Sequence, residues 1–438
     1  MYQLLKINQT VRAEASKTAC RVTRFLGGGG QGEVYAADWD GSAVALKWYF
    51  PQSATEEQRL LLEDLIHRSA PDARFLWPIE LASSSDVPGF GYVMRLREQR
   101  FKGIVALMKR QVEVSFRTLV TACFELADSY YQLHANGLCY RDISFGNVFF
   151  DPETGEVLIC DNDNVAVNRQ AGGGVLGTPK FMAPEIVRGE AAPSRDTDLY
   201  SLAALLFYML IVHHPLEGRR ESAIKCFDLP AMTKIYGTDP LFIFDPDDES
   251  NRPDPVFHAN ALAFWPIYPK LIRELFTRSF TEGLRNSQGR VRETEWRSAM
   301  IQLRDRILYC TECGAENFFD QSAEAARKCW SCEKPIRLPY RLQIGAKTVV
   351  MLNHDTRLHH HHLDESRRYD FGRPAAEVVR HPQDTRVWGL KNLTDAKWSS
   401  TTADGAVSAV EPGRSVRLAR GTRINFGTSQ VEIFAPED

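Results

Sequence analysis

The eight residues from Tyr140 to Asn147, reading Tyr-Arg-Asp-Ile-Ser-Phe-Gly-Asn, constrain this chain more than any other stretch. They follow an amphipathic run from Phe116 to His134, with Leu119, Cys123, Leu126, Tyr130 and Leu133 at helical spacing and Asn136-Gly137 as its C-cap. An acid followed five positions later by an amide, just past an apolar helix, suits phosphoryl transfer. Asp142 can orient and deprotonate a hydroxyl, and Asn147 can hold a magnesium ion on phosphates. Asp and Asn also make ordinary turns, so the octet gains its meaning from its neighbours.

The first neighbour is upstream. Residues 22–50 read as strand, glycine turn, strand, strand, with Leu26 leading into Gly27-Gly28-Gly29-Gly30-Gln31-Gly32-Glu33-Val34-Tyr35. A loop so poor in side chains lets backbone N–H groups approach phosphates, and Val34 can cap an adenine ring. Val44-Ala45-Leu46-Lys47 then places a lysine on the next strand, within reach of the same phosphates. Taken singly, a glycine run is a floppy turn and a strand lysine is a solvated edge residue; in succession they favour a nucleotide site. Thr55 to Arg68 is a helical stretch with Leu61, Leu62, Leu65 and Ile66 as its apolar face. Glu63, beside Leu62, is the expected acidic partner of Lys47, with Glu57 and Asp64 as alternatives. Gly91-Tyr92-Val93-Met94 reads as a last strand, and Met94 to Arg97 as the connection that meets an adenine edge.

Downstream, Val157-Leu158-Ile159-Cys160 closes a hairpin with Val148-Phe149-Phe150 and ends at Asp161-Asn162-Asp163. Gly177-Thr178-Pro179, Ala183-Pro184-Glu185 and Asp198 at the head of an apolar helix come next. In this order the motifs resemble those of protein kinases: glycine-rich loop, strand lysine, catalytic loop, metal-binding aspartate and Ala-Pro-Glu. The resemblance covers residues 1–309, with an amino-terminal lobe to about 95, a larger lobe from about 96 and an insertion at about 213–269. It implies ATP contacts from Leu26, Gly27, Gly29, Gly32, Val34, Ala45, Lys47 and Met94. It also implies magnesium on Asn147 and Asp161, Asp142 as the residue aligning the acceptor, and Asp198 as a brace for the catalytic loop. Arg290 or Arg292 is expected to pair with Glu185.

Three positions depart from the family pattern. Tyr140 replaces the usual histidine, Asn162 replaces a phenylalanine, and Ser144 stands where most serine/threonine kinases carry a phosphate-contacting lysine. A serine there is similar to choline-kinase-like small-molecule kinases, whereas Gly177-Thr-Pro and Ala183-Pro-Glu belong to a protein-substrate platform. A nucleotide-binding pseudokinase scaffold is the other alternative. Between Asn164 and Ala183 the sole hydroxyl side chain is Thr178, so control by phosphorylation of that loop is not expected.

Cys310-Thr-Glu-Cys313 and Cys329-Trp-Ser-Cys332 are fifteen residues apart. Each pair aims two thiolates at one point, and two such turns complete a tetrahedral structural zinc site over residues 310–336. Cys20, Cys123, Cys139, Cys160 and Cys226 read as core. From residue 338 to 438 short alternating segments, among them Gln430 to Phe434, are separated by Pro412-Gly413, Gly421 and Gly427, the pattern of an all-β sandwich. The ending resembles forkhead-associated (FHA) domains, which bind phosphothreonine. Yet Gly345 is followed by Ala346 where those domains carry an arginine, and Asn392 alone matches their loop asparagine. His359 to His362 offers a metal cluster or an introduced tag; packed loop histidines are the simpler reading.

The fold class is therefore α+β, a two-lobed kinase followed by a zinc ribbon and an FHA-like sandwich. A balance of 53 basic and 56 acidic residues, net −3, argues against a general nucleic-acid or membrane-surface binder. The absence of a membrane-length apolar run and the cysteine usage suggest a cytoplasmic protein. The combination resembles bacterial kinases of tellurite-resistance-associated systems. It implies protein substrates, and a metal-dependent phosphatase and a von Willebrand factor A-type protein as partners.

Overall fold

The computed structural model describes residues 3–168, 177–322, 328–345 and 348–435. It divides into two compact units, one built mainly from residues 1–114, 118–265 and 273–297, the other mainly from 298–438. Among the described residues no helix is long and apolar enough to cross a membrane.

In the first unit the amino-terminal strands are β1 (Thr10–Ala13), β2 (Ala19–Gly28), β3 (Gly32–Trp39), β4 (Ser42–Tyr49), β5 (Pro78–Ser83) and β6 (Gly91–Arg95). They close into an antiparallel barrel in the order β1-β2-β3-β4-β6-β5. Alternation along β4 explains its two roles. Val44, Leu46 and Trp48 fill the barrel with Val22, Tyr35 and Val93. Ala45, Lys47 and Tyr49 point the other way. Register places Val34 and Tyr92 opposite Lys47, and Met94 opposite Ala45. One outer face thus carries Val34, Ala45, Lys47, Tyr49, Tyr92 and Met94. Helix α1 (Glu56–Arg68) begins at Thr55, whose side chain accepts the N–H of Gln58, and buries Leu62 and Leu65.

The larger lobe is built on two long helices, Phe116–Ala135 and Arg195–Ile211. The second is buried on every side and starts from a capping box in which Ser194 and Thr197 satisfy each other's N–H groups. Val148–Phe150 and Val157–Ile159 form the expected hairpin. Its turn requires Gly155: φ is +79°, and a Cβ would lie 2.6 Å from the Thr118 carbonyl oxygen. Residues 213–269 form short helical segments that bury Leu216, Ile235, Tyr236, Phe242 and Ile243. Cys20, Cys123 and Cys139 are buried, but Cys226 is exposed, on a surface connection between two one-turn helices.

The second unit is β-rich. Two antiparallel sheets of six and four strands share one core containing Leu342, Leu358, Ala376, Leu390, Trp398 and Ile433. A hairpin of Ile307–Tyr309 and Glu316–Phe318 carries the first cysteine pair. Leu308 and Phe319 pack with Val349 and Met351 of the larger sheet.

Candidate nucleotide cleft and cysteine cluster

The expected nucleotide contacts converge on one cleft of about 990 Å³ in the first unit. Leu26, Gly27, Gly29, Gly32, Val34, Ala45, Lys47 and Met94 line one wall; Asp142, Asn147 and Asp161 line the other. Gly32 is required by close approach, since a Cβ there would sit 2.2 Å from the Trp48 carbonyl oxygen. Phe149 also lines the cleft, with the Arg97 guanidinium 4.1 Å from its ring centroid. Its place two residues after Asn147 is a signal that the sequence reading passes over.

The loop that carries Asp142 and Asn147 is held from below. Asp198 accepts the backbone N–H groups of Tyr140 and Arg141 at 2.6 and 3.0 Å. It also accepts from His134 Nε2 at 3.0 Å, while His134 Nδ1 donates to Glu293. Burial lowers the His134 pKa, but the two carboxylates override it and hold the imidazolium above its ordinary value. Arg290 pairs with Glu185 through two bonds of 2.8 Å. Arg292, the other candidate, instead donates its N–H to Glu295. At the loop's tip Asn147 Nδ2 donates to Asp142 Oδ2 at 2.9 Å, which leaves Asn147 Oδ1 as an acceptor for a cation. Thr178 Oγ1 donates to Asp142 Oδ1 at 2.8 Å, fixing the carboxylate plane. Residues 169–176 of the loop before Thr178 lie outside the described residues.

The opposite wall differs from expectation at one residue. Glu63 does not meet Lys47: its carboxylate lies 3.3 Å from Arg59 on the outer side of α1 and is 41% exposed. The helix presents Leu62 and Leu65 inward, one residue before and two after Glu63, so Glu63 turns away from the cleft. Lys47 instead donates to Asp163 Oδ2 at 2.8 Å and approaches Asp161 Oδ1 at 3.4 Å and Gln31 Oε1 at 3.5 Å. Burial lowers the ammonium pKa, and the Asp163 and Asp161 carboxylates more than restore it, so Lys47 stays charged. For Asp161 burial dominates and pushes the carboxyl above its ordinary range despite Lys47. Asp161 itself adopts a left-handed backbone, φ +54°, a strain typical of functional turns. Asn162 is fully buried and donates to the Ile159 carbonyl at 3.0 Å.

These features find their counterpart in known proteins. The protein kinase domain family matches residues 20–277, more than half of the chain. The chain belongs to the protein kinase family. Similar proteins include the DNA damage-responsive serine/threonine-protein kinase RqkA of Deinococcus radiodurans. It is 34% identical over 113 residues, 25% of this chain and 16% of that protein. The serine/threonine-protein kinase PknD of Chlamydia abortus is 26% identical over 241 residues, 46% of this chain and 25% of its own. A dual serine/threonine and tyrosine protein kinase of Apis mellifera is 27% identical over 200 residues, 43% of this chain and 20% of its own. The matches thus span a quarter or less of each relative.

In the second unit Cys310, Cys313, Cys329 and Cys332 bring their sulfurs within 4.8 Å of one another. Two sulfur pairs are 3.7 and 3.6 Å apart. A tetrahedron with Zn–S bonds of ~2.3 Å has edges of about 3.8 Å, so the donor set fits a zinc ion. Each pair sits on a matching turn: Gly314 N–H donates to Cys310 O, Glu333 N–H to Cys329 O, and both donors have positive φ.

Asp305, His361 and His362 also cluster within 4.8 Å, but their chemistry differs. His362 Nδ1 accepts the N–H of His359 at 2.9 Å, and His361 Nδ1 accepts that of Tyr369 at 3.0 Å. A neutral ring that accepts at Nδ1 carries its proton on Nε2 and has no lone pair there for a metal. His362 Nε2 uses that proton on Asp305, 3.2 Å away. Burial, with His362 nearby, lowers the His361 pKa to about 4, keeping it neutral. These histidines form a packed clasp.

Proposed function

We propose that this kinase transfers the γ-phosphate of magnesium-bound ATP to serine or threonine in protein substrates, within a bacterial signalling or stress response. The observation that carries this reading is the Asp142–Asn147 bond opposite Lys47 across one cleft. Asp142, its plane fixed by Thr178 and Asn147, receives the substrate hydroxyl and its proton. Lys47 bears on the α- and β-phosphates, and the glycine loop encloses them with backbone N–H groups. Asn147 Oδ1 and the Asp161 carboxylate are the groups that would hold magnesium. That ion, when bound, neutralises charge on the phosphates. Ser144 is buried beneath the loop at 3% exposure, so it supplies no phosphate contact in place of the missing lysine.

The four cysteines are assigned a structural zinc ion, whose binding orders the two hairpin turns. Metal analysis should give one zinc per chain, lost on joint Cys329→Ser and Cys332→Ser substitution. The sandwich is read as an FHA-like docking module without phosphothreonine dependence. Its Asn392 is buried and committed: Nδ2 donates to Ala396 O and Val410 O, and Oδ1 accepts from Thr394. Ala346, which stands in the arginine position, lies outside the described residues. Candidate partners are a metal-dependent phosphatase and a von Willebrand factor A-type protein.

The test is incubation of the full chain with γ-labelled ATP, magnesium and generic protein substrates. Label on serine and threonine is expected. ATP binding without transfer would favour a scaffold, and transfer to small acceptors alone a small-molecule kinase.

A further inference from the structure

The cleft lysine needs a fixed anion, because a free ammonium on a strand samples many rotamers and meets phosphate poorly. Helix α1 does not supply one. It reaches the turn at Asp163 through Gln58, whose Nε2 donates to the Tyr49 hydroxyl and to the Asp163 carbonyl oxygen, both at 3.1 Å. An amide there orients neighbours without neutralising charge. The expected acid of the helix, Glu63, belongs to Arg59, which also holds Glu14, and Asp64 pairs with Arg68.

The anion comes from the turn that follows Asp161. The left-handed backbone at Asp161 swings the chain into a short 3-10 turn, Asn162–Asn164, and drives the Asp163 side chain under β4. That side chain is completely buried. Its Oδ2 accepts from Lys47 at 2.8 Å and from the Tyr49 hydroxyl. Tyr49 is two residues beyond Lys47 and shares its strand face, so one strand presents both donors. Gln31 of the glycine loop completes the set: its Oε1 faces Lys47 and its Nε2 donates to Asn164 Oδ1 at 3.3 Å.

The geometry points to Asp163 as the residue that positions Lys47 for the nucleotide, taking the place a helix acid would fill. The inference rests on the kinase reading above. Asp161, more open at 42% side-chain exposure and farther from Lys47, is left for magnesium. Lysine and metal ligand are therefore indexed to one three-residue turn. Movement of α1 would break neutral hydrogen bonds from Gln58, not the ion pair.

The experiment uses the full chain and reads Mg-ATP affinity by calorimetry alongside the steady-state KM for ATP and kcat. Asp163→Asn keeps shape and removes charge; it should weaken Mg-ATP binding at least tenfold and lower kcat/KM at least thirtyfold. Glu63→Ala should change neither by more than twofold. Adding Gln58→Glu to Asp163→Asn returns a carboxylate to the Lys47 surroundings from the helix side, and should recover at least fivefold of the lost kcat/KM. A purely structural role for Asp163 would not give that rescue. Tyr49→Phe, which removes a second donor to Asp163, covers the case in which Asp163→Asn fails to fold, and should raise the KM for ATP severalfold. Loss of activity in Glu63→Ala with Asp163→Asn unaffected overturns the inference, as does a Tyr49→Phe enzyme with unchanged KM where Asp163→Asn does not fold. If wild type binds Mg-ATP without turnover, the kinase reading falls while the affinity comparison still decides on Asp163.

Discussion

The two walls of the cleft reach the same end by different means. On the large-lobe wall the two groups at the loop's tip, Asp142 and Asn147, are five residues apart on one loop, which Thr178 and Asp198 brace from farther along the chain. On the small-lobe wall the decisive contact, Lys47 to Asp163, spans more than a hundred residues and joins a strand to a turn of the other lobe. A wall written in short-range spacing tolerates little variation. A wall that needs only some carboxylate near an ammonium can draw it from any element that passes close, and here it draws it from the turn that follows Asp161.

The largest effect should come from the first wall. Asp142→Ala removes the group proposed to receive the acceptor's proton, so kcat should fall by about 10²–10⁴-fold. Mg-ATP affinity, measured by calorimetry, should stay within a fewfold because Lys47 and Asp161 remain. Equal losses in affinity and kcat would erase the distinction between the walls.

The brace beneath that wall gives a pH-dependent effect of intermediate size. The folded-state pKa of His134 lies above its ordinary 6.5, so its contribution is full below pH 6.5 and fades as pH rises through the folded value. Burial raises and the His134 bond lowers Glu293, which ends at about 2 against an ordinary 4.5; its share is present above pH 4.5 and fades as pH falls towards 2. The bridge therefore contributes most between about pH 4.5 and 6.5. His134→Gln should cost about 1–3 kcal/mol there, and less at alkaline pH, as read by denaturant unfolding. A penalty that grows with alkalinity would contradict a charged His134.

The smallest effect sharpens the second wall. Arg59→Ala frees Glu63 from its partner while leaving Asp163 in place. This partly exposed pair is worth about 1 kcal/mol or less, and activity should stay within twofold of wild type. A large gain in activity would mean that Glu63, once released, holds Lys47 better than Asp163 does.

Much of this was legible in the sequence, for identifiable reasons. The octet at 140–147, the glycine run and the cysteine pairs encode their geometry in fixed local spacing, so the cleft lining and the sulfur cluster follow from residue order. Glu63 was not legible, because its facing depends on which turn of α1 docks. Leu62 and Leu65 settle that only once the barrel is assembled. Asp163 was hidden for a related reason. Asn162 stands out as a replaced phenylalanine, but the residue beside it matters only because Asp161 turns left-handed. For the histidine run, packed loop residues were the simpler reading, but what decides it in the structure, two backbone N–H groups from His359 and Tyr369 that fix the ring tautomers, has no sequence signature.

A crystal structure of the full chain with magnesium and a non-hydrolysable ATP analogue tests the central claim most directly. The account predicts Lys47 bridging Asp163 and the phosphates, with magnesium on Asp161 and Asn147 and Glu63 still on Arg59. Glu63 swung onto Lys47, with Asp163 displaced from it, would contradict the account.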